Sequence, residues 1–389
     1  SAAARALYRP TKERPPRLPK RSADTTDTDV PTLRWQGYRR FVVIERNHPD
    51  ASAQITSIVL APEDERPLPP FKPGQYLTIR LSIPNRKGDV APTVRCYSLS
   101  SGPNESTYRL SIKRVGPPAD QPNRPPGRVS NFVGDFLHVG MVVEAKAPDG
   151  DFFLDESEAR PTILIGGGIG ITPVLSMVKG LADSRATHPV SLIVGMRTPQ
   201  DMAFASEIDE AIGALEQGRK MIVYSQPNTE SVNEAHGLSG HLTAPDILTA
   251  CGYQAPVIYL CGPPAMMAAL VPGFEDAGIA AEDIRFEAFG PASIPRRSDP
   301  PQPAVLQHAV TLHQSEIQFT WDGTSTLLES IEAAGIHPDA GCRSGNCGSC
   351  LTGIRSGTVH YTTKPATQVI PGYCLPCVAQ PASPLDLDV

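Results

Sequence analysis

The sequence predicts a multidomain α/β and β fold: an antiparallel β-barrel, then a parallel α/β domain, then a small cysteine-bearing domain. Three observations carry this. Between Trp35 and Val115 the apolar residues fall in short β-type runs separated by Pro, Gly, Asn and Asp. After Arg160 two buried-strand patterns, Thr162-Ile163-Leu164-Ile165 and Val257-Ile258-Tyr259-Leu260, each feed a turn and a helix. Towards the end, Cys342, Cys347 and Cys350 stand at intervals of five and three, followed at a distance by Cys374 and Cys377. Short runs closed by turn residues build antiparallel sheets, and continuous apolar runs alternating with helices build parallel ones. A chain of 389 residues has room for two or three such domains, each with its own core.

Residues 1–33 read as a basic, proline-rich tail or linker. Arg5, Arg9, Lys12, Arg14, Arg17, Lys20 and Arg21 stand against Glu13 alone in the first 21 positions. Such a composition suits a targeting presequence, but Pro10, Pro15, Pro16 and Pro19 would break its amphipathic helix. The missing initiator Met points to a piece of a longer chain, in which Ala4 to Tyr8 would end an upstream domain. The formal net charge of -6 is mild and no apolar run is long enough for a membrane span or a secretory h-region, so a soluble, cytoplasmic protein is expected, with no membrane partner. The basic residues concentrate in the tail, which argues against nucleic acid as a partner.

The barrel is expected over 34–157, from the runs Phe41 to Ile44, Gln54 to Leu60, Tyr76 to Ile79 and Tyr108 to Val115. Within it lies Arg95-Cys96-Tyr97-Ser98-Leu99-Ser100. Strand alternation puts Arg95, Tyr97 and Leu99 on one face and Cys96 and Ser98 on the other, except where a strand ends. A guanidinium, a planar aromatic and a hydroxyl so close together suit a flat heterocycle with a phosphate tail; the plainer reading is a half-buried strand with a surface arginine. Further on come Gly127-Arg128-Val129-Ser130-Asn131-Phe132 and Ala147-Pro148-Asp149-Gly150-Asp151-Phe152-Phe153-Leu154.

The α/β domain is expected over 158–290. Its first strand runs into Gly166-Gly167-Gly168-Ile169-Gly170-Ile171-Thr172-Pro173, where a glycine-rich turn allows close backbone approach to a pyrophosphate and a helix N-terminus meets the anion. By itself such a turn is equally an ordinary strand-to-helix connection. The second signal is Cys261-Gly262-Pro263-Pro264 at the carboxyl end of the other strand, the edge at which open α/β sheets bind ligands. Residues 291–303 are proline-rich linker. Over 304–389 an alternating run at Val310 to Thr320 and a helix over Thr326 to Ala334 precede the cysteines.

Cys-x4-Cys-x2-Cys with a distant fourth Cys is the plant-type spacing for a [2Fe-2S] cluster. Disulfides are disfavoured because nothing marks the chain as secreted, and zinc sites usually show two Cys-x2-Cys pairs. The glycines around these cysteines suit a loop whose N–H groups turn inward to the sulfurs. From the spacing alone, Cys374 and Cys377 compete for the fourth place.

At these residues the chain resembles plant-type ferredoxins, and the resemblance implies a β-grasp domain with Cys342, Cys347, Cys350 and Cys377 as metal ligands. Alignment of Gly372 through Pro381 on the ferredoxin pattern leaves Cys374 in a packing position. Upstream, Arg-x-Tyr-Ser, Gly127 to Phe132, Ala147 to Leu154, the paired glycine-rich and Cys-Gly-Pro segments and Phe286-Glu287-Ala288-Phe289-Gly290-Pro291 resemble the ferredoxin-NADP reductase superfamily, specifically the reductase part of flavohaemoglobins. The order of flavin, nicotinamide and [2Fe-2S] modules resembles that of phthalate-dioxygenase-reductase-type enzymes. The resemblance implies an FAD-binding barrel rather than an FMN-binding one. It places Arg95, Gly127, Val129 and Ser130 at the flavin phosphates, Tyr97 at the ring, Ser98 near flavin N5 and Phe289 over the ring, where core packing is the alternative for Phe289. It also implies that Gly167, Gly168, Gly170, Thr172, Gly262 and Pro263 bind NAD(P)H, with Cys261 and Glu287 lining the nicotinamide position.

The expected function is an NAD(P)H-dependent reductase: hydride passes to FAD, then single electrons pass through [2Fe-2S] to a redox partner such as an oxygenase, a cytochrome P450 or a fused upstream domain. A flavin belongs between a two-electron donor and a one-electron carrier. The alternative from another class is a non-catalytic redox sensor read through its reduced cluster. NADH is expected over NADPH, because Ser225-Gln226-Pro227 lacks a basic clamp for a 2'-phosphate, although Arg197 at a strand end leaves NADPH open.

Overall fold

A computed structural model describes residues 35–84, 89–117, 126–226, 238–289, 307–323, 325–336, 338, 340, 341, 343, 345, 348–361, 365 and 369–389. The tail expected over 1–33 and the linker expected over 291–303 lie outside the described residues, as do Cys342 and Cys347. The chain divides into two compact units, with the main break between Glu287 and Ala288.

The first half of the larger unit is a nearly closed antiparallel barrel of six strands: β1 (Arg39–Asn47), β2 (Ile55–Pro62), β3 (Tyr76–Pro84), β4 (Val90–Ser98), β5 (Tyr108–Lys113) and β6 (Val142–Ala145), in the order β4-β3-β6-β1-β2-β5. An antiparallel bridge between Leu99 and Leu110 links the end of the first strand in that order to the last. Phe41, Val43, Ile58, Leu60, Leu77 and Ile79 fill the interior, which the helix α1 (Arg128–Phe136) plugs with Val129, Phe132 and Val133. Two features differ from the sequence pattern. The four-residue β6 is too short to announce itself by alternation. Nearly all of β2 is buried rather than every second residue, because one side faces the barrel core while Ile55 joins the core of the following domain.

That domain is a sheet of β7 (Thr162–Gly167), β8 (Val190–Met196), β9 (Gly218–Tyr224), β10 (Leu238–Ser239), β11 (Val257–Gly262) and β12 (Ile284–Ala288), in the order β10-β9-β8-β7-β11-β12. Strands β7 to β11 pair in parallel, and all six residues of β7 and of β11 are buried, as expected for strands covered on both faces. The helices α2 (Ile171–Asp183), α3 (Ala205–Gly213), α4 (Ala244–Cys251) and α5 (Pro264–Asp276) connect them. From β7 the chain builds outward on one side through β8 and returns on the other through β11, so a topological switch point lies between β7 and its neighbours. Phe152 and Leu154, from the end of the barrel segment, pack with Leu164, Val174 and Tyr259 in a core common to barrel and sheet.

The smaller unit holds β13 (Ala309–Leu312), β14 (Ile317–Thr320), α6 (Leu327–Ala333), β15 (Thr352–Ser356), β16 (Val359–Tyr361), β17 (Tyr373–Cys374), β18 (Ala379–Pro381) and β19 (Leu385–Leu387). Its main sheet runs β14-β13-β19-β15-β17, with β13 and β19 parallel at the centre and α6 packed over Val310, Leu312, Leu385 and Leu387, a β-grasp arrangement. Among the described residues no helix is long and apolar enough to cross a membrane.

Helix α6 begins at a full capping box: Thr326 accepts from the Glu329 N–H, and the Glu329 carboxylate accepts from the Thr326 N–H at 2.9 Å. Thr326→Ala should cost about 1 kcal/mol, visible in calorimetry as a lower unfolding temperature for the iron-sulfur unit, with the transition of the larger unit unchanged.

Candidate functional site

Strand β4 delivers Arg95, Tyr97 and Ser98 at its carboxyl end. Tyr97 packs against the barrel core beside fully buried Leu99, the shared face that alternation requires. Ser98, the last residue of the strand, is also buried, at 4% exposure. Arg95 is half-buried and donates to its neighbour's carbonyl, Val94 O, at 2.7 Å.

The turn before α1 is tied to the end of β5. Gly127 N–H donates to Val115 O at 2.9 Å, and a Cβ on Gly127 would stand 2.8 Å from Ser130 Oγ and 2.9 Å from Val115 Cβ. The Ser130 hydroxyl accepts from Val115 N–H and donates to Gly127 O, so it holds the turn. Among the described residues no side chain caps α1, and the N-terminus of a helix favours an anion. Val129, three per cent exposed, faces the barrel core, and its expected contribution at the phosphates reduces to its backbone. The turn therefore fits a pyrophosphate through main-chain donors.

At the switch point the glycines have separate tasks. A Cβ on Gly170 would lie 2.3 Å from the Cys261 carbonyl oxygen, one on Gly167 2.6 Å from Met266 Cε and 2.8 Å from Pro263 Cδ, and one on Gly262 2.2 Å from Met266 Cε. Gly170 packs against backbone, while Gly167 and Gly262 pack against the Met266 side chain. Gly168 differs: at φ +52° it has nothing within 4 Å of its missing Cβ and it opens onto a cleft. Thr172 is buried and donates to Ile169 O at 3.0 Å, fixing the turn. The cleft encloses about 510 Å³, a size typical of small-molecule sites. Gly167, Gly168, Pro263 and Met266 line it from the sheet, and Gln54, Lys113, Arg114 and Gly116 from the barrel. Arg197, Ser225 and His241 join them, each just past the carboxyl end of β8, β9 or β10, where Met196, Tyr224 and Ser239 are in register. A cradle of bare backbone rimmed by cations fits a dinucleotide.

Cys261 is fully buried in the core of this sheet rather than on the cleft surface. Burial first, and the nearby Glu287 carboxylate second, push its thiol well above the usual range, so it stays a neutral thiol. Glu287, near the end of β12, is itself 9% exposed. Phe289 stands just past that strand and is 38% exposed, which removes core packing as its role.

In the smaller unit Cys350 and Cys377 bring their sulfurs to 3.3 Å, both almost wholly buried. That is far beyond a disulfide bond of roughly 2.05 Å and close enough for two thiolates to share one metal ion. Cys374 lies on β17, fully buried against the apolar core with Val310 and Leu387, and its thiol is pushed up to about 12 by burial and by Cys350. The preceding loop turns through left-handed residues at Arg343, Gly345 and Gly348, and Arg343 Nη1 donates to Glu332 Oε2 of α6 at 2.9 Å. Cys350 and Cys377 thus come together, while Cys342 and Cys347 are outside the described residues.

Sequence reading did not find Lys113, Arg114, Gln54 or His241. Their one signal was position: Lys113 and Arg114 end the run that begins at Tyr108, and a cation at a strand end reads as a solvated one.

Residues 164–271 match the family model described as an oxidoreductase NAD-binding domain, and residues 310–382 that of a 2Fe-2S iron-sulfur cluster binding domain. A flavohemoprotein of Oceanobacillus iheyensis is 34% identical over 257 residues, covering 66% of this chain and 60% of that protein. The chain thus spans about 60% of the length of that curated relative. The flavohem-like FAD/NAD binding domain of nitric oxide dioxygenase from Vibrio cholerae superposes with a TM-score of 0.56 at 30% identity, covering 65% of this chain and 98% of that one. Phthalate dioxygenase reductase, a modular structure for electron transfer from pyridine nucleotides to [2Fe-2S], superposes with a TM-score of 0.57 at 25% identity, covering 91% of this chain and 98% of that one.

The separate tasks of the glycines predict separate effects. Gly170→Ala sets a Cβ against backbone that has no room to yield, and should lower the unfolding temperature of the larger unit sharply. Gly168→Ala meets open space and should cost only the left-handed backbone penalty, about 1–2 kcal/mol, in the same calorimetric measurement.

Proposed function

Because the chain belongs to the ferredoxin-NADP reductase superfamily and carries a C-terminal [2Fe-2S] domain, we propose that NADH is its donor, FAD its flavin and an oxygenase-type protein or fused domain its acceptor. It is an NAD(P)H-dependent oxidoreductase that moves electrons by way of a flavin and a [2Fe-2S] cluster. The observation that carries the proposal is the cleft at Gly168, whose far wall is the barrel itself through Lys113, Arg114 and Gly116. A nucleotide held there faces the flavin-binding domain. The flavin, when bound, accepts two electrons together and releases them one at a time, which matches a pyridine nucleotide to a one-electron cluster.

The chain's own residues supply binding, orientation and exclusion of water. Arg95 and the N–H groups following Gly127, with Val129 and Ser130 in the same turn, would hold the flavin phosphates. Tyr97 would pack on the ring, Phe289 would cover it, and the Ser98 hydroxyl would bond to its edge. Gly167, Gly168, Gly170, Thr172, Gly262 and Pro263 would shape the nicotinamide nucleotide site. Cys261 would sit behind it as a neutral thiol, with Glu287 beside it. Cys342, Cys347, Cys350 and Cys377 would ligate the iron. The corresponding domains are 34–157, 158–290 and 304–389. NADH rather than NADPH is favoured by the pair Ser225 and Gln226 at the end of β9, against Arg197 alone on the neighbouring strand.

The acceptor side follows from charge. Residues 304–389 carry seven acidic side chains, Glu316, Asp322, Glu329, Glu332, Asp339, Asp386 and Asp388, against Arg343, Arg355 and Lys364. A partner with a basic face would be steered to this domain, and its reduction would slow as salt rises.

The purified chain should yield FAD on extraction and contain two irons per chain by metal analysis; FMN, or zinc without iron, would defeat the proposal. Cys377→Ser should abolish the cluster spectrum and Cys374→Ser should leave it nearly unchanged. Ending the chain between Ile294 and Pro303 should preserve ferricyanide reduction by NADH while cytochrome c reduction falls sharply. Equal cytochrome c rates with and without the iron-sulfur domain would show that the cluster is not the exit.

A further inference from the structure

The barrel and the nucleotide domain meet through apolar packing and through several polar contacts, among them Ser52 N–H to Gln200 O at 3.1 Å and Asp155 N–H to the Tyr259 hydroxyl at 3.0 Å; the bidentate one centres on Arg109 of β5. Its guanidinium binds Glu207 of α3 in parallel, Nη1 to Oε1 and Nη2 to Oε2, both at 2.8 Å. The same group reaches back into the barrel, Nη2 to Ser100 O at 2.5 Å and Nε to Ser100 Oγ at 3.2 Å, and lies over the Phe204 ring at 5.1 Å. Lys179 of α2 adds a second cation to Glu207 at 2.6 Å. Burial alone would raise the Glu207 carboxyl, but the bonds from Arg109 and Lys179 outweigh it and hold the group below the usual carboxylate range.

What the joint connects gives it meaning. Ser100 is fully buried, two residues beyond Ser98, and its hydroxyl continues the network to Ser111 at 2.8 Å and from there to Ser57 at 2.6 Å. On the other side, Glu207 stands in the first turn of α3 and Lys179 on α2, the helix that the glycine-rich turn opens. One guanidinium therefore ties the strand end bearing Ser98 to two helices of the nucleotide domain. Partly buried ion pairs add little net stability, because desolvation offsets their attraction. Bidentate geometry does fix orientation, which apolar contacts, free to slide, leave loose.

We propose that Arg109 and Glu207 are positioning residues that set the angle of the nucleotide domain on the barrel, and with it the approach of a nicotinamide in the Gly168 cleft to the flavin edge at Ser98. This rests on the reductase reading above. The pair exchanges no proton and no electron in the reaction; it acts through Ser100 and through α3.

The test uses the full chain with its cofactors, unaltered and as Glu207→Gln, Arg109→Lys and the double variant. In stopped-flow with NADH, each single variant should lower the limiting rate of flavin reduction by on the order of tenfold or more, since small misplacements of reacting groups are costly. The dissociation constant for NADH should change by less than about threefold, and the double variant should be no slower than the worse single one, because both remove one joint. Before nucleotide is added, amide hydrogen exchange at Leu99 to Ser101 and in α3 should speed up together in both variants. Limiting rates within about twofold of the unaltered chain, or a lower unfolding temperature with the rate intact, would overturn the proposal. Should Arg109→Lys fail to fold, Glu207→Gln, which keeps the shape while removing the charge and one of the two acceptor oxygens, decides the matter. An unaltered chain that neither NADH nor NADPH reduces would overturn the reductase reading and this proposal with it; reduction by NADPH alone would move the same test to NADPH.

Discussion

A carbonyl oxygen resting on a bare Cα, Cys261 against Gly170, is the constraint on which the larger unit depends. With any side chain at Gly170 the turn after β7 would stand off from the end of β11, since its Cβ would lie 2.3 Å from that oxygen. Close approach there has three consequences. It brings Gly262 close to Gly167, whose Cα would stand 3.2 Å from a Cβ on Gly262, and the Met266 side chain fills the space beside both glycines. It leaves Gly168 in a left-handed conformation with open space before it, beside Gly167 on the wall of the cleft. And it buries the Cys261 side chain in the core, where a low-polarity setting keeps the thiol protonated. Backbone geometry thus decides both what the site exposes and what it withholds.

Around that floor the unit combines two kinds of contact. Ile55, Phe152 and Leu154 of the barrel segment share one apolar core with the parallel sheet, so flavin-binding and nucleotide-binding elements form a single packed body. Over this non-directional attraction lie directional contacts: the Arg109–Glu207 fork, the Asp50–Ala203 strand bridge, and the Asp155 N–H donating to the Tyr259 hydroxyl at 3.0 Å. The apolar part holds the domains together and the polar part limits how they can turn. Hydride transfer, which demands contact between donor and acceptor, is suited to such a body.

Much of this was legible in the sequence, for identifiable reasons. Strands β7 and β11 announced themselves because burial on both faces demands an unbroken apolar run. The helix expected over Thr326 to Ala334 is α6, whose capping box the structure adds. The cysteine spacing marked the iron-sulfur domain because metal geometry restricts loop length. What stayed hidden depends on partners far apart in the chain. Arg109 is a polar residue inside the run Tyr108 to Val115, and nothing local links it to Glu207, ninety-eight positions on. Lys113 and Arg114 became part of the cleft only through the packing of barrel on sheet. The burial of both Ser98 and Leu99, which alternation puts on opposite faces, is a tertiary feature that alternation cannot foresee.

The iron-sulfur unit meets a different demand, to hold a loop in a shape that the backbone resists. Arg343 is a non-glycine residue at φ +59°, and Gly345 and Gly348 are also left-handed. A left-handed arginine costs on the order of 1 kcal/mol or more, so something outside the loop must fix it. The bond from Arg343 to Glu332 supplies that anchor, and Glu332 sits on α6, whose start is locked by its capping box and whose apolar side is buried on β13 and β19. Strain in the loop is therefore carried by a helix with a core of its own. The same helix contributes Leu328, which packs with Cys350 and Cys377 in a small apolar cluster. One element thus both pins the loop and shields the paired sulfurs from water, which suits a centre that must change charge without exchanging ligands.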